Sequence, residues 1–380
     1  DCEPEVNRSR TLYVPYMSVK QKGNSDNESA NASMSVRTGR ECFRALSMPE
    51  AVTLASGVYR VRASVPSRSK ATADMVQTDE AFWTIFSFHF LSGEAFTKAD
   101  CDAGLTRAVL DATTARRLFG TTDAVGHTVQ LDYVDYTVAG VVADVSMLAT
   151  AAYAQIWVPY TAAGAEAMSW QNDTMGPMHA IILARSSADF DAIREETELL
   201  RKKYNDGLQD VEVFYRGQPD TQLAYLYRRW YAEPDVPGVM LRYAIVVIIL
   251  LLVPAVNLSG MTLSRMRRRM AEIGVRKAFG ATGGELMRQV FFENLVLTLL
   301  AGIVGLALSY VATFALNGFL FSNSMNASLS GETALTPGML LSPWAFIAAF
   351  AFCLLMNILS AGIPAWRASR MNITDAINQR

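Results

Sequence analysis

The stretch SRMRRRMAEIGVRKAFGATGGELMRQ, residues 264–289, decides how this chain is organised. It holds Arg265, Arg267, Arg268, Arg269, Arg276, Lys277 and Arg288 against only Glu272 and Glu285, and it lies between two long apolar runs. The runs cover about 243–261 and about 295–316, and a third follows at about 344–363. Each is rich in Leu, Ile, Val, Ala and Phe, carries no internal Lys or Arg, and reaches the roughly 20 residues that a helix needs to cross a hydrocarbon core. A helix lying on a membrane surface would keep a polar face, which these lack. Three transmembrane spans are therefore expected.

The basic stretch also orients them, because loops that stay on the cytoplasmic side concentrate Lys and Arg. The loop 262–290 is expected inside. The loop 321–342, FSNSMNASLSGETALTPGMLLS, has no Lys or Arg and is expected outside, and the tail 364–380 regains Arg367, Arg370 and Arg380 and belongs inside. These assignments alternate consistently and place residues 1–238 on the outer side. A domain of that size needs an export signal, yet the chain opens DCEPEVNRSR with no apolar segment. A fourth, N-terminal span upstream is expected, in preference to a cleaved signal.

Composition agrees with a chain that is partly in lipid, since 51% of the 380 residues are hydrophobic. A net charge of −2 gives no footing for a nucleic-acid partner. Residues 1–238 read as an α+β extracytoplasmic domain, with short β-branched and aromatic runs separated by helix-length segments. Strands are expected over 11–16, 52–63, 106–110, 137–142 and 179–184, and helices over 40–47, 79–86, 112–119 and 188–204. The polar stretch 21–35 reads as a loop. Tyr225, Tyr227, Trp230 and Tyr231, just before the first span, suit either an aromatic belt at the membrane interface or packing against the outer domain.

The residues offer no catalytic constellation. His89, His127 and His179 lack ligand or triad spacing, and no G-x-S-x-G, H-E-x-x-H or G-x-x-x-x-G-K-[ST] occurs. The run from Gly280 to Gly284 lacks the Lys-Ser/Thr of a phosphate loop and reads as a helix-to-helix turn. No metal or cofactor is expected, the chain is not expected to be an enzyme, and any ATP would be bound by another polypeptide. Cys2, Cys42, Cys101 and Cys353 show no metal-type spacing; a Cys2–Cys42 bridge outside the cytoplasm stays open, since connectivity does not follow from sequence.

The run from Asn257 through the arginines to Glu272-Ile-Gly-Val-Arg-Lys-Ala-Phe-Gly280, and on to Arg288-Gln-Val-Phe-Phe-Glu-Asn294, resembles the FtsX/MacB-type permease signature over some forty residues. Gly362-Ile-Pro-Ala-Trp-Arg-Ala-Ser-Arg370 with Asp375-Ala-Ile377 resembles that family's closing motif, with Ile373 where Pro is usual and Ile377 in place of Leu. In the outer region, the stretch from Phe82 to Phe96, then Thr114-Ala-Arg-Arg-Leu-Phe-Gly120, Val125-Gly-His-Thr-Val129 and Val138-Ala-Gly-Val-Val-Ala-Asp144 look like the MacB-type periplasmic core domain. The resemblance implies four spans, an inner-membrane location with a large periplasmic domain, a second permease subunit, identical or related, and a cytoplasmic ABC ATPase dimer. A periplasmic adaptor or effector protein is a further partner it allows.

The resemblance makes Glu272, Ile273, Gly274, Val275, Arg276, Lys277, Phe279 and Gly280 the coupling helix seated on the ATPase. Their chemistry agrees, because Ile273, Val275 and Phe279 set apolar side chains beside charges outside the bilayer, as a helix docking into a protein groove does. The arginines at 265, 268 and 269 share one helical face suited to anionic headgroups. In the second span Ala301, Gly305 and Ser309 form a small-x-x-x-small stripe for helix packing, and Pro254, Asn257 and Asn357 suggest a kink and interhelical polar contacts. Expected functions are efflux or extraction of a hydrophobic substrate, peptide or lipid; FtsX-like mechanotransmission to a partner such as a cell-wall hydrolase; or, in a different class, a membrane-anchored sensor without an ATPase.

Overall fold

The computed structural model describes residues 3–25, 28–66, 70–228, 232–252, 275–276, 279–316, 344 and 346–356. Among these, everything up to Val236 belongs to one compact unit and everything from Pro237 onward to a second.

The first unit has two lobes. One is built on an antiparallel sheet in the order β14-β1-β12-β4, from β1 (Thr11–Val14), β4 (Ala51–Ser56), β12 (Met178–Leu183) and β14 (Asp220–Thr221). A smaller antiparallel sheet stands beside it, β13-β2-β3, from β2 (Met17–Gln21), β3 (Ala30–Ala32) and β13 (Val211–Phe214). The helix α1 (Val36–Gly39) starts at Ser35, whose side chain accepts from the Thr38 N–H, and runs into a π turn over Arg40–Arg44. The long helix α5 (Phe190–Gly207) buries Ile193, Thr197 and Tyr204 against this lobe, whose core joins Leu12, Val14, Met17, Phe43, Leu54 and Ile182.

The other lobe is a closed barrel. Its strands are β5 (Tyr59–Ser64), β6 (Lys70–Thr78), β8 (Arg107–Asp111), β9 (Thr128–Leu131), β10 (Val134–Val142) and β11 (Ile156–Pro159). The pairing runs β10-β8-β11-β6-β5-β9, and β9 returns to β10, so the ring leaves no open edge. The strand β7 (Phe90–Gly93) pairs with the far end of β10, where Gly140 faces Gly93. The barrel core combines Val61, Met75, Leu110, Val129, Val138 and Ile156 with Ala115, Leu118 and Phe119 from α4 (Ala112–Phe119).

Two short helices, α2 (Phe82–Ile85) and α3 (Lys98–Asp102), lie between β6 and β8 in the chain. The stretch from Phe82 to Phe96 becomes an aromatic cluster: Phe82 to Phe86 at 4.7 Å between ring centroids, Trp83 to Phe96 at 5.4 Å and Phe88 to Trp157 at 5.2 Å. Gly93 within it has φ +66°, and a Cβ there would stand 2.2 Å from the Ala139 carbonyl oxygen. Only glycine permits that approach of β7 to β10. At the join of the lobes, Asp79 accepts from the Arg44 guanidinium at 3.0 Å, Thr53 Oγ1 at 2.7 Å and the Leu54 N–H at 3.1 Å. Burial nevertheless pushes its carboxyl up to about 6.

Several local expectations shift. The strand expected over 52–63 is two strands, β4 and β5, interrupted at Gly57 and Val58. The helix expected over 40–47 is the π turn, and the one over 79–86 shrinks to α2. The segment 21–35 is not wholly loop, because β3 pairs with β2 from Met17↔Ala32 to Val19↔Ala30. Cys42 is a free thiol, fully buried in the first lobe's core, and Cys2 lies outside the described residues. Burial pushes the Cys42 thiol up to about 11, which keeps it protonated and inert.

After α6 (Gln222–Tyr227), the described chain resumes at Ala232. Tyr225 on α6 stacks on Tyr13 of β1, with ring centroids 4.6 Å apart and planes within 15°, so this tyrosine packs against the outer domain. Trp230 and Tyr231 lie outside the described residues.

The helix α7 (Val236–Leu252) enters the second unit from Pro237 onward, and α8 (Gly283–Ala315) and α9 (Phe346–Met356) lie within it. Among the described residues α8 alone is long and apolar enough to cross a membrane, over Phe291–Thr313. At 1.5 Å per residue its 33 residues extend about 50 Å, against roughly 30 Å of hydrocarbon. The span expected at 295–316 thus begins about one turn earlier, because Phe291 and Phe292 extend the apolar run. The end of the loop expected over 262–290 is already α8.

Candidate functional site

The residues that lead into α8 form a closed turn. Val275 and Arg276 are helical, and the Phe279 N–H donates to the Val275 carbonyl at 3.1 Å. Gly280 then takes φ +93°, and the Ala281 N–H donates back to the Arg276 carbonyl at 3.1 Å. This is the six-to-one bond of a Schellman close, which needs a left-handed residue just past the helix and so favours glycine.

The next helix is capped immediately. Thr282 donates its N–H and its Oγ1–H to Glu285 Oε2, each at 2.9 Å, while the Glu285 N–H donates to Thr282 Oγ1 at 3.3 Å. This reciprocal pair is a capping box. The Thr282 backbone N–H, seconded by its hydroxyl, holds the Glu285 carboxyl below the usual range. Arg276 Nη1 donates to Gln289 Oε1 at 2.7 Å and ties the two helical segments side by side.

Phe279 stands at the apex of the turn with 89% of its surface exposed, and Val275 is 49% exposed. Arg288 lies over the Phe292 ring, 5.7 Å from its centroid. The turn therefore presents an apolar tip at the head of α8, with Arg276, Glu285 and Arg288 among its nearby charged residues in sequence. Of the residues expected to form the coupling helix, Val275, Arg276, Phe279 and Gly280 are brought together here. Glu272, Ile273, Gly274 and Lys277 lie outside the described residues, as do the arginines at 265, 268 and 269 and Pro254, Asn257 and Asn357. Thr282 and Gln289 carry the geometry without having been singled out; the T-x-x-E spacing is the signal that finds the first.

Ala301, Gly305 and Ser309 all stay exposed on α8, and nothing lies within 4 Å of a Cβ placed on Gly305. The small residue that meets a neighbour is Gly302, where a Cβ would stand 3.4 Å from Phe350 Cδ2 on α9.

The chain thus joins an α+β domain to a helix long and apolar enough to cross a membrane, and the family matches make it a membrane permease bearing an extracytoplasmic α+β domain. A sequence model described as the MacB-like periplasmic core domain matches residues 6–200, and one described as the FtsX-like permease C-terminal region matches residues 244–373. The chain belongs to the MacB/FtsX-like family of ABC transporter permeases. It is 25% identical over 307 residues to the macrolide export ATP-binding/permease protein MacB of Chromobacterium violaceum, covering 80% of this chain and 43% of that protein. The MacB of Escherichia coli K12 is 26% identical over 314 residues, covering 81% and 43%. The chain thus spans less than half the length of these relatives.

Among solved structures, the extracellular domain of the ABC-type transporter YknZ from Gram-positive bacteria is similar, at TM-score 0.37 and 16% identity, covering 52% of this chain and 99% of that one. The periplasmic region of MacB from Actinobacillus actinomycetemcomitans is similar at TM-score 0.38 and 17% identity, covering 54% and 90%.

Proposed function

We propose that this chain is the permease subunit of an inner-membrane ABC exporter. It comprises an outer domain of residues 1–238 and a membrane domain of residues 239–380, and it pairs with a second permease subunit. A cytoplasmic ABC ATPase dimer binds ATP, takes the coupling turn into a groove, and moves the outer domain as it closes and reopens. The cargo is a hydrophobic drug, peptide or lipid, by analogy with the macrolide export named for the relatives.

The observation that supports this reading most is the exposed Phe279 at the tip of a turn closed by both main-chain and side-chain bonds. Phe279 and Val275 are exposed together beside Arg276, the mix of apolar and charged groups that a helix docking into a protein groove offers, and a tip fixed by these bonds loses little freedom on docking. Force applied there enters α8, which runs without interruption through its apolar span.

The test is co-purification of the permease with its cognate ATPase in lipid, with ATP turnover and uptake of the macrolide erythromycin into inverted vesicles as readouts. Stimulated turnover and ATP-dependent uptake that both vanish in Phe279→Asp support export. Stimulated turnover without uptake of any hydrophobic probe points to control of an outer partner instead. Absence of a co-purifying ATPase overturns the transporter reading.

A further inference from the structure

The chain leaves the outer domain through the grip of one arginine. Arg228 follows α6 directly, and its side chain is 1% exposed against 4% for Asp220 on β14. Its Nε and Nη2 donate to the two carboxylate oxygens of Asp220, the second at 2.8 Å. Nη2 also donates to the Arg216 carbonyl at 3.1 Å, and Nη1 to the Ala232 carbonyl at 3.0 Å. The two-pronged contact with Asp220 fixes the guanidinium plane. The other donors then hold main chain on two sides, one in the connection from β13 to β14 and one in the departing chain.

Both sides are anchored further. Arg216 donates Nε to Ser18 Oγ on β2 at 2.8 Å and Nη2 to Ser29 Oγ at 2.9 Å, and its guanidinium lies 4.9 Å from the centroid of the Phe214 ring. One residue beyond Ala232, Glu233 lies against Gly217, where a Cβ would stand 2.7 Å from Glu233 Oε1. The helix α7 starts at Val236, three residues later.

Stability alone is a poor reason for this arrangement. Taking both charges out of water is costly, and an apolar pair of similar volume would hold the fold at least as well. Burial indeed raises the Asp220 carboxyl above its usual range. What an apolar pair would lack is direction: it could not hold the Arg216 and Ala232 carbonyls in one geometry.

We propose that Asp220 and Arg228 form a coupling clamp, which makes the chain at Ala232 and Glu233 a rigid extension of the outer domain, so that displacement of α7 is delivered to β14 and through Arg216 to β2. Arg228 is a positioning residue in this scheme and acts through the main chain it holds. The inference rests on the transporter reading above and adds the point at which motion enters the outer domain.

The test uses the permease with its ATPase in lipid, and a panel of antibody fragments raised against the outer domain. Each fragment's Kd is measured with ADP and with ATP plus vanadate. If the outer domain responds to the nucleotide, some fragments bind at least about fivefold differently in the two states of wild type. In Arg228→Ala that ratio is expected to fall below about twofold, while affinity with ADP is unchanged and reports an intact outer fold.

Arg228→Ala strands the Asp220 carboxylate and is at risk of misfolding, so Asp220→Asn/Arg228→Met serves as the second variant. It removes both charges at similar volume and also loses the bonds to Arg216 and Ala232. Glu41→Ala, which breaks an exposed ion pair with Arg37 elsewhere in the domain, is expected to keep the wild-type ratio. Ratios equal to wild type in both clamp variants overturn the clamp alone. A ratio of one for every fragment in wild type overturns the transporter reading and the clamp with it.

Discussion

Arg276 and Gln289 meet through a 2.7 Å hydrogen bond that bridges thirteen residues of sequence and closes the Gly280 turn from the side. The main chain closes the same turn from within, through the Ala281 to Arg276 bond. Phe279 is consequently held outward with its surface free for a partner.

Phe279→Asp is expected to leave folding intact, because the side chain touches little of its own chain. If the tip fills an ATPase groove, losing an anchor of this kind costs about 2 kcal/mol or more, roughly thirtyfold in affinity. Titration of the ATPase onto wild-type and variant permease in lipid nanodiscs checks this. Equal affinities would remove Phe279 from the docking surface.

Thr282→Ala removes one half of the capping box. The expected cost is about 1 kcal/mol, confined to the first turn of α8. Hydrogen exchange should quicken several-fold at the amides near Glu285 and stay unchanged beyond Phe291. Unchanged exchange at Glu285 would show that the Arg276 to Gln289 bond alone sets the start of the helix.

The outer domain holds two groups whose titrations oppose each other. Asp111 caps α4 by accepting from the Thr114 N–H at 2.7 Å, and burial raises its carboxyl from 3.8 to about 6. The folded state therefore holds that proton more tightly. This contribution is fully present below about pH 4 and is lost as pH rises through 6.

His179 on β12 runs the other way, since burial lowers it from 6.5 to about 4. Its contribution is fully present above pH 6.5 and is lost as pH falls through 4. Asp111→Asn keeps a good cap and should raise the slope of stability against pH between 4.5 and 6.5, whereas His179→Gln should lower it. Each change is expected to be on the order of 1–2 kcal/mol across that window. Thermal unfolding in detergent at stepped pH measures both, and slopes that move in the same direction would contradict the assignment.

Gly93→Ala is expected to destabilise the outer domain by about 3 kcal/mol, through a left-handed backbone and a main-chain clash together. The Ala139 oxygen that a Cβ would meet at 2.2 Å belongs to the β10 backbone and has little room to yield. The melting temperature of the variant against Gly120→Ala, another left-handed position with open space around it, separates the clash from the strain.

How much of this was legible from residues alone varies with range along the chain. The helix α4 matches its expected bounds, because its signals are all local: Asp111 caps it, Ala112, Ala115, Leu118 and Phe119 share its buried face, and Gly120 ends it at φ +80°. The closed barrel was not legible. Its β9 to β10 turn passes through Asp132 and Tyr133, both at positive φ, without the Gly or Asn that announces such a hairpin. The strand β6 carries Lys70, Asp74 and Gln77 along its length, and its place between β5 and β11 follows only from pairing with segments far away in sequence. Within the turn before α8, the Gly280 to Gly284 reversal could be read from composition, whereas the contact between Arg276 and Gln289 could not.

By itself the sequence determined the apolar runs, the arginine-rich stretch between two of them, and the family signatures. A bilayer responds to local composition, so twenty apolar residues or a cluster of arginines have their meaning before any tertiary contact forms. Tertiary structure alone decided that the barrel closes, that Asp79 joins two lobes through Arg44 and Leu54, and that Arg228 grips Asp220, Arg216 and Ala232 together. Each of these depends on which buried donor finds which acceptor, and that follows from packing the whole outer domain, since a buried polar group left without a partner would cost more than the fold can spare.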